Sequence, residues 1–211
     1  MVSIAKKRVY TKQDKKPFLV FTIGMIIVFG LGNIGEKYSG TRHNVGFAAL
    51  DIYAQKYGTH FAEEKMFFGS IAKLARMTLV KPSTFMNESG KCAKKLIRTH
   101  ADVPVVLYDD IDIPLGQIKC SFGKNAGGHN GVQSIIDHLG TKDFFRIRIG
   151  VRPVHEELQK FILPPNGFEH FLLSNFAPQE KELLEQGVAK ALKVLDDVPN
   201  KSVEELMNVY N

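Results

Sequence analysis

Two kinds of hydrophobic spacing alternate along this chain, and the alternation restricts its fold more than any other feature. Short apolar runs such as Met25 to Phe29 and Pro104 to Tyr108 are typical of strands inside a sheet. Between them lie segments with apolar residues at helical spacing, such as Asn44 to Tyr57, which Gly58 is placed to end. This order predicts an α/β fold, a single domain with a mixed β-sheet flanked by α-helices.

The other predicted elements continue the alternation. They are the strand pair Phe67 to Leu74 and Met77 to Val80, a helix over Glu88 to His100, a strand over Gln117 to Phe122, a helix over Gly131 to Leu139, a strand over Phe144 to Val151, a helix that begins at Pro178, and a helix over Val203 to Val209. The proline-containing stretch Arg152 to Phe176 predicts an irregular and mobile rim.

Positive charge is concentrated in the first 24 residues. That segment holds six Lys and Arg residues and one Asp, a net charge of +5, so +1 of the total +6 belongs to residues 25–211. We therefore divide the chain into a basic N-terminal extension, 1–24, which we expect to be flexible, and a folded domain, 25–211. The overall basicity is consequently poor support for nucleic-acid binding by the folded domain.

Membrane spans and zinc sites find no support in the sequence. No apolar run approaches the roughly 20 residues that cross a bilayer, so we expect no membrane association. Cys92 and Cys120 lie far apart, without a CxxC pair or a nearby histidine cluster. The simplest interpretation is two buried, reduced thiols, and a disulfide is the alternative.

A glycine-rich turn follows the first strand and matches the dinucleotide-binding pattern GxGxxG at Gly30, Gly32 and Gly35. In that motif a helix begins at once, and an acid ends the second strand about 20 residues later. Here Gly40 interrupts any such helix, and Asp51 falls inside a predicted helix. The pattern therefore favours a tight turn beside a substrate, and a nicotinamide-dependent oxidoreductase is the weaker alternative.

Three polar clusters lie close behind predicted strands. They combine amides, acids and histidines: Asn33 with Tyr38 to Asn44, Lys81 to Gly90, and Asp109 to Asp112 together with Gly127 to Gly131. Because ligand sites of open α/β sheets lie where strands end, we expect the three clusters to converge. None of them contains the GxSxG turn of serine hydrolases or the HExxH pair of zinc peptidases.

The chemistry that these residue types favour is ester hydrolysis without a metal ion, in which a histidine activates water and neutral amides position the substrate. Imidazole titrates near neutral pH, and a carboxylate bonded to its other nitrogen fixes the ring. Each residue also has a structural explanation when taken singly: Asn44 and Asn87 stand at helix starts, where asparagine commonly caps a helix. The residues alone therefore favour a hydrolase only modestly over a binding module.

The same blocks resemble the bacterial peptidyl-tRNA hydrolases over essentially all of residues 25–211. The most specific block is Thr41-Arg42-His43-Asn44, within the matching run Tyr38 to Asp51. The others, in the family's order, are Gly30 to Asn33, Thr84 to Gly90, Asp109 to Gly116, Gly127 to Gly131 and Arg146 to Gly150. The resemblance implies an enzyme that hydrolyses the ester between peptide and tRNA and so recycles tRNA.

The resemblance also implies a role for each matched residue. His43 is expected to be the general base, and Asp109 its orienting partner. Contacts to the substrate are expected from Asn33, Tyr38, Met86, Asn87 and Asn130. The family implies no cofactor, no metal and no obligate protein partner, and a cytoplasmic monomer acting on peptidyl-tRNA. The alternative is a non-catalytic RNA-binding protein of the same fold, against which the intact His43 and Asp109 argue.

Some positions depart from the family's pattern. Ile34 stands where proline is common, which leaves the turn after Asn33 less rigid. Gln133 stands where a Lys or Arg is usual, which removes a phosphate contact. We hypothesise that the basic extension 1–24 restores part of this cationic attraction. His129 is expected to make a structural bond in its loop rather than to take part in catalysis.

Overall fold

The computed structural model describes residues 25–99, 102–153 and 167–211. The strands in these residues are β1 Ile26–Gly30, β2 Ala62–Glu64, β3 Gly69–Lys73, β4 Met77–Pro82, β5 Val103–Pro114, β6 Ile118–Phe122 and β7 Phe145–Arg152. The α-helices are α1 Val45–Lys56, α2 Ser89–Leu96, α3 Asn130–Leu139, α4 Gly167–Leu172, α5 Lys181–Asp197 and α6 Val203–Tyr210. The helix predicted to begin at Pro178 opens with a short 3₁₀ turn and continues as α5.

The strands form one mixed sheet in the order β2-β3-β4-β1-β5-β7-β6. Its centre is parallel, because β1 pairs in parallel with β4 and β5, and β5 pairs in parallel with β7. Antiparallel strands extend both edges, β2 and β3 on one side and β6 on the other. The predicted class, an α/β domain with a mixed sheet flanked by helices, is therefore confirmed.

Helices cover both faces of the sheet, and each face has its own core. α1, α5 and α6 pack on one face, where Leu50 and Leu195 belong to the same buried cluster as Val28 of β1. α2 and α3 pack on the other, where Ile135 belongs to the same cluster as Phe29. Successive side chains of a strand point to opposite faces, so Val28 and Phe29 enter different cores. β1 is consequently buried along its whole length, as parallel strands between two helix layers are.

Glycines bring α1 unusually close to the sheet. A Cβ on Gly30 would lie 2.5 Å from the carbonyl oxygen of Gly46, and a Cβ on Gly46 would lie 2.5 Å from that of Leu107. No other residue fits at these positions without a shift of the backbone. The chain after Gly30 first makes two 3₁₀ turns, and α1 begins only at Val45. The glycine-rich turn therefore does not open a helix as a dinucleotide-binding turn does.

The strand predicted over Pro104 to Tyr108 is longer in the structure, where β5 spans Val103–Pro114. β5 continues to Pro114, because its pairing with β7 persists past the acidic residues, with an irregularity between Asp110 and Pro114. Asp109 therefore lies within a buried strand and not in a loop, which fixes its backbone. The short strand β2 was not predicted, because its sequence Ala-Glu-Glu has no apolar alternation.

The helix predicted over Glu88 to His100 ends at Leu96. The Asp102 carboxylate accepts the backbone N–H groups of Arg98 and Thr99, which gives these donors partners outside a helix. The helix α4 lies within the stretch predicted to be irregular, so that prediction was wrong for its last part. His100, the extension 1–24 and residues 154–166 of the predicted rim lie outside the described residues.

Two further predictions concern the interior and the membrane. Cys92 and Cys120 are both buried and unpaired, as predicted. Burial raises the pKa of each thiol to about 12, which keeps both in the unreactive protonated form. Within the described parts of the chain, every helix is too short or too polar to cross a membrane.

Candidate active site

Loops that follow the central strands meet at one end of the sheet, as the sequence predicts. They enclose a cavity of about 450 Å³. Its wall includes six of the seven predicted site residues, namely Asn33, Tyr38, His43, Met86, Asn87 and Asn130. The seventh, Asp109, reaches the site from β5 and contacts His43. The three polar clusters therefore converge.

A buried carboxylate holds the ring of His43. Nδ1 of His43 lies 2.8 Å from Oδ1 of Asp109, and the side chains are 11% and 2% exposed. His43 lies on a 3₁₀ turn after β1, whereas Asp109 belongs to the neighbouring strand β5. Because Nδ1 is engaged with Asp109, Nε2 is the ring nitrogen that can accept a proton from a ligand or from water.

His129 bonds to the same carboxylate oxygen. Its Nε2 lies 3.1 Å from Oδ1 of Asp109, and its Nδ1 accepts the backbone N–H of Val132, so that it caps α3. A ring nitrogen that accepts a backbone N–H carries no proton, so Nε2 of His129 is the donor to Asp109. The structural bond expected of His129 is present. Its link to Asp109 is the part of the site that sequence reasoning missed.

The two histidines determine the ionisation of Asp109. Burial by itself would raise the pKa of this carboxyl group, because it penalises the charged form. Electrostatic attraction and hydrogen bonds from His129 and His43 outweigh burial and lower the pKa of Asp109 below its ordinary value. Asp109 is therefore an anion throughout the neutral range and can stabilise a proton gained by His43.

The side-chain amide of Asn33 has a fixed orientation. Its Oδ1 accepts the backbone N–H of Met86 at 2.8 Å. The backbone of Asn33 is itself held by the side chain of Asn44, through one bond in each direction at 2.8 and 3.0 Å. The Met86 N–H requires an acceptor, which assigns Oδ1 to that side and leaves Nδ2 at the cavity wall as a donor without a partner among the described residues. Asn44 thus supports Asn33 and makes no side-chain cap on α1.

The remaining predicted contact residues differ in exposure. Met86 is buried beneath the cavity, and Tyr38 is half-buried at its edge. Asn87 and Asn130 are exposed, and neither side chain makes a hydrogen bond to another of the described residues. Neither Asn87 nor its neighbours supply a side-chain cap to α2. Both amides are therefore free to bind a ligand in the cavity.

One group of side chains in the described ranges has the composition of a metal site. Nδ1 of His43 and Nε2 of His129 lie 2.8 and 3.1 Å from Oδ1 of Asp109, and one potential ligand atom of each side chain lies within 4.8 Å of those of the other two. Both nitrogens are hydrogen-bond donors to Asp109, so a metal ion would have to displace two protons. Sequence spacing does not reveal this group, because the two histidines are 66 and 20 residues from Asp109.

Comparison with known proteins identifies the family. A sequence profile described as Peptidyl-tRNA hydrolase matches residues 27–211. The chain belongs to the peptidyl-tRNA hydrolase family. The resemblance that the sequence blocks indicated is therefore confirmed, and the matched residues include every predicted site residue.

Individual members of the peptidyl-tRNA hydrolase family match over nearly their full length. The peptidyl-tRNA hydrolase of Thermodesulfovibrio yellowstonii is 38% identical over 195 residues, which cover 89% of this chain and 99% of that protein. That of Bacillus subtilis is 37% identical over 197 residues, covering 89% and 98%. The crystal structure of the peptidyl-tRNA hydrolase from Acinetobacter baumannii aligns with a TM-score of 0.75 at 27% identity, covering 90% of this chain and 96% of that one.

Proposed function

We propose that this chain hydrolyses the ester between peptide and tRNA with His43 as the general base. As a member of the peptidyl-tRNA hydrolase family, it is an enzyme that acts on peptidyl-tRNA. The observation that carries the mechanism is the 2.8 Å bond from Nδ1 of His43 to Asp109, at the wall of an amide-lined cavity. This arrangement is suited to activate water and to hold a carbonyl group.

In the proposed reaction, Nε2 of His43 takes a proton from a water molecule as that water attacks the ester carbonyl carbon. The Asp109 anion stabilises the imidazolium that forms, and the carbonyl oxygen becomes an oxyanion. When the carbonyl re-forms, the bond to the ribose oxygen breaks, and that oxygen receives the proton from His43. The products are a peptide with a free carboxyl group and a free tRNA. General-base catalysis of this kind contributes roughly 10²–10⁴-fold.

We assign the oxyanion donor to Asn33 rather than to Asn87. A donor contributes most when its direction is fixed before the reaction begins, because no reorganisation is then needed in the transition state. The bond from Met86 fixes the amide of Asn33, whereas the side chain of Asn87 is exposed and bonds to none of the described residues. Asn87 and Asn130 then bind the peptide. Tyr38 and Met86 complete the wall of the cavity, with Tyr38 towards the tRNA end.

Release of tRNA from a defined peptidyl-tRNA tests the proposal. We expect His43→Ala to lower kcat by at least about 10²-fold, because general-base catalysis is lost. His60→Ala is the matched control, since His60 is an exposed histidine on the segment before β2 and should leave kcat unchanged. An inactive wild-type protein would contradict the reaction, and near-normal kcat in His43→Ala would contradict the mechanism.

We further propose, from the family resemblance, that the enzyme works in the cytoplasm as a monomer without an obligate protein partner. The molar mass in solution, measured by light scattering at the concentration of the assay, tests the monomer. A protein that is a dimer at that concentration, and that loses activity when dilution separates its subunits, would contradict the monomer. Fractionation of the source cells tests the location.

A further inference from the structure

The side chain of Arg42, next to His43, is buried between aromatic rings. It is only 6% exposed, and its Cζ lies 4.3 Å from the ring centroid of Phe171 and 4.6 Å from that of Phe176. Its Nη2 donates to Oε2 of Glu180 at 2.7 Å. Both Nε and Nη1 are buried and have no hydrogen-bond partner among the described residues, and the two aromatic rings pack against the guanidinium. Burying a cation with one carboxylate partner costs free energy of folding, and its neighbours indicate a role that explains its position.

The partners of Arg42 all belong to the segment that forms one wall of the cleft. Phe171 lies in α4, and its neighbours Phe168 and Leu172 line the cavity that also contains His43. The other two partners follow α4 in the chain. Glu180 also accepts the backbone N–H of Ala177 with the same Oε2, which fixes the turn before α5. Arg42 therefore contacts α4 through Phe171, on the side of the helix away from the cavity.

Backbone contacts join the same two segments. The N–H of Arg42 donates to the carbonyl oxygen of Ser174 at 3.1 Å, and Thr41 forms an antiparallel bridge with Asn175. His43 has separate support, because Asp109 holds its ring and Asn44 holds the loop of Asn33. Loss of the Arg42 side chain should consequently displace α4 more than it displaces the base.

We propose that Arg42 is a positioning residue that holds α4 against the cleft and so determines how tightly the substrate binds. The inference rests on the proposed reaction of the same site. When the guanidinium is absent, Glu180 loses its cation and the two rings lose the group that they enclose. The wall formed by α4 then moves relative to His43, although the base and its carboxylate stay in place.

Kinetics of three variants test this role. Arg42→Met keeps an apolar stem but removes the cation, Glu180→Gln removes the charge and keeps an acceptor for Ala177, and Arg42→Lys retains the charge. We expect Arg42→Met to raise KM for peptidyl-tRNA by about 10- to 100-fold with little change in kcat. Glu180→Gln should raise KM less than Arg42→Met does. The KM of Arg42→Lys should lie between those of wild type and Arg42→Met.

Arg76→Met is the matched control, because Arg76 bonds to Asn200 and to the backbone of Pro199, and none of these three residues lines the cavity. A substitution that only destabilises the fold reduces the amount of active enzyme, which lowers the apparent kcat and leaves KM unchanged. Wild-type KM in both Arg42→Met and Glu180→Gln would therefore overturn the inference, whatever happens to kcat. If Arg42→Met does not fold, Glu180→Gln decides. Failure of the reaction itself is recognised separately, by the activity of wild type and His43→Ala.

Discussion

Asp109→Asn tests most directly how the site works. The amide keeps the shape of the side chain and can still accept hydrogen bonds, but it removes the negative charge 2.8 Å from Nδ1 of His43. That charge matters once His43 gains a proton. With about 4 Å between the centres of charge and an effective dielectric constant of about 20, the attraction is about 4 kcal/mol. We therefore expect kcat to fall by about 10³-fold, at about 1.4 kcal/mol for each factor of ten.

Single-turnover release of tRNA from peptidyl-tRNA at saturating enzyme measures the chemical step. KM should change little, because Asp109 is buried beside His43 and is not among the residues that line the 450 Å³ cavity. The matched control is Asp110→Asn, one residue along the same strand. Asp110 accepts a hydrogen bond from Nε of Arg148 at 2.7 Å, whereas His43 and His129 bond to Asp109, so kcat should stay close to that of wild type.

A fall of less than about tenfold in Asp109→Asn would refute the electrostatic role and leave Asp109 only an orienting one. Folding stability gives a second readout. Folding lowers the pKa of Asp109, so its ionised carboxylate stabilises the folded state at pH values above the ordinary Asp pKa of about 3.9. This contribution is lost as the pH falls through the lower pKa of the folded state. The difference in unfolding free energy between wild type and variant should therefore be largest near neutral pH and shrink in acid.

Metal removal, the basic extension and helix packing can each be tested separately. Stripping the enzyme with EDTA before the assay should leave kcat and KM unchanged, because Asp109 already binds two N–H donors; activity that is lost and then restored by zinc would contradict this. Replacing the six Lys and Arg residues of 1–24 by Gln should weaken substrate affinity most at low salt, and equal affinity at every salt concentration would count against the hypothesis. Gly90→Ala would place a Cβ 2.0 Å from the carbonyl oxygen of Ser134, so urea unfolding should show a loss of about 1–3 kcal/mol, whereas the exposed neighbour in Lys91→Ala should cost little.

The fold class was predictable because each strand and helix has to bury one face or both. The same reasoning failed where pairing, and not composition, decides the structure. Asp109 to Pro114 has the composition of a loop, yet the segment is a strand because β7 pairs with it. The strand β2 similarly exists because β3 provides its partner. The order of the strands in the sheet is also set by such long-range pairing.

The candidate site was predictable in its residue types and its position but not in its bonds. Strand ends meet at one edge of a parallel sheet, so the convergence of the polar clusters followed from their positions in the chain. The bond from Met86 to Asn33 spans 53 residues and that from Arg42 to Glu180 spans 138, and no spacing rule relates such pairs. The shared use of Asp109 by both histidines likewise depends on the finished packing.

The position of β1 in the sheet has a consequence for the folding of the enzyme during its synthesis on the ribosome. β1 precedes β4 and β5 in the chain but lies between them in the sheet. At about 5–20 residues per second, a ribosome needs seconds after making β1 before β5 has been synthesised. Until then Ile26–Gly30, buried in the finished protein, lacks its lateral partner β5, and His43 has no Asp109 to orient it. Each new copy is itself a peptide esterified to tRNA while it is being made, and it lacks the carboxylate that supports cleavage of that kind of bond until β5 has docked.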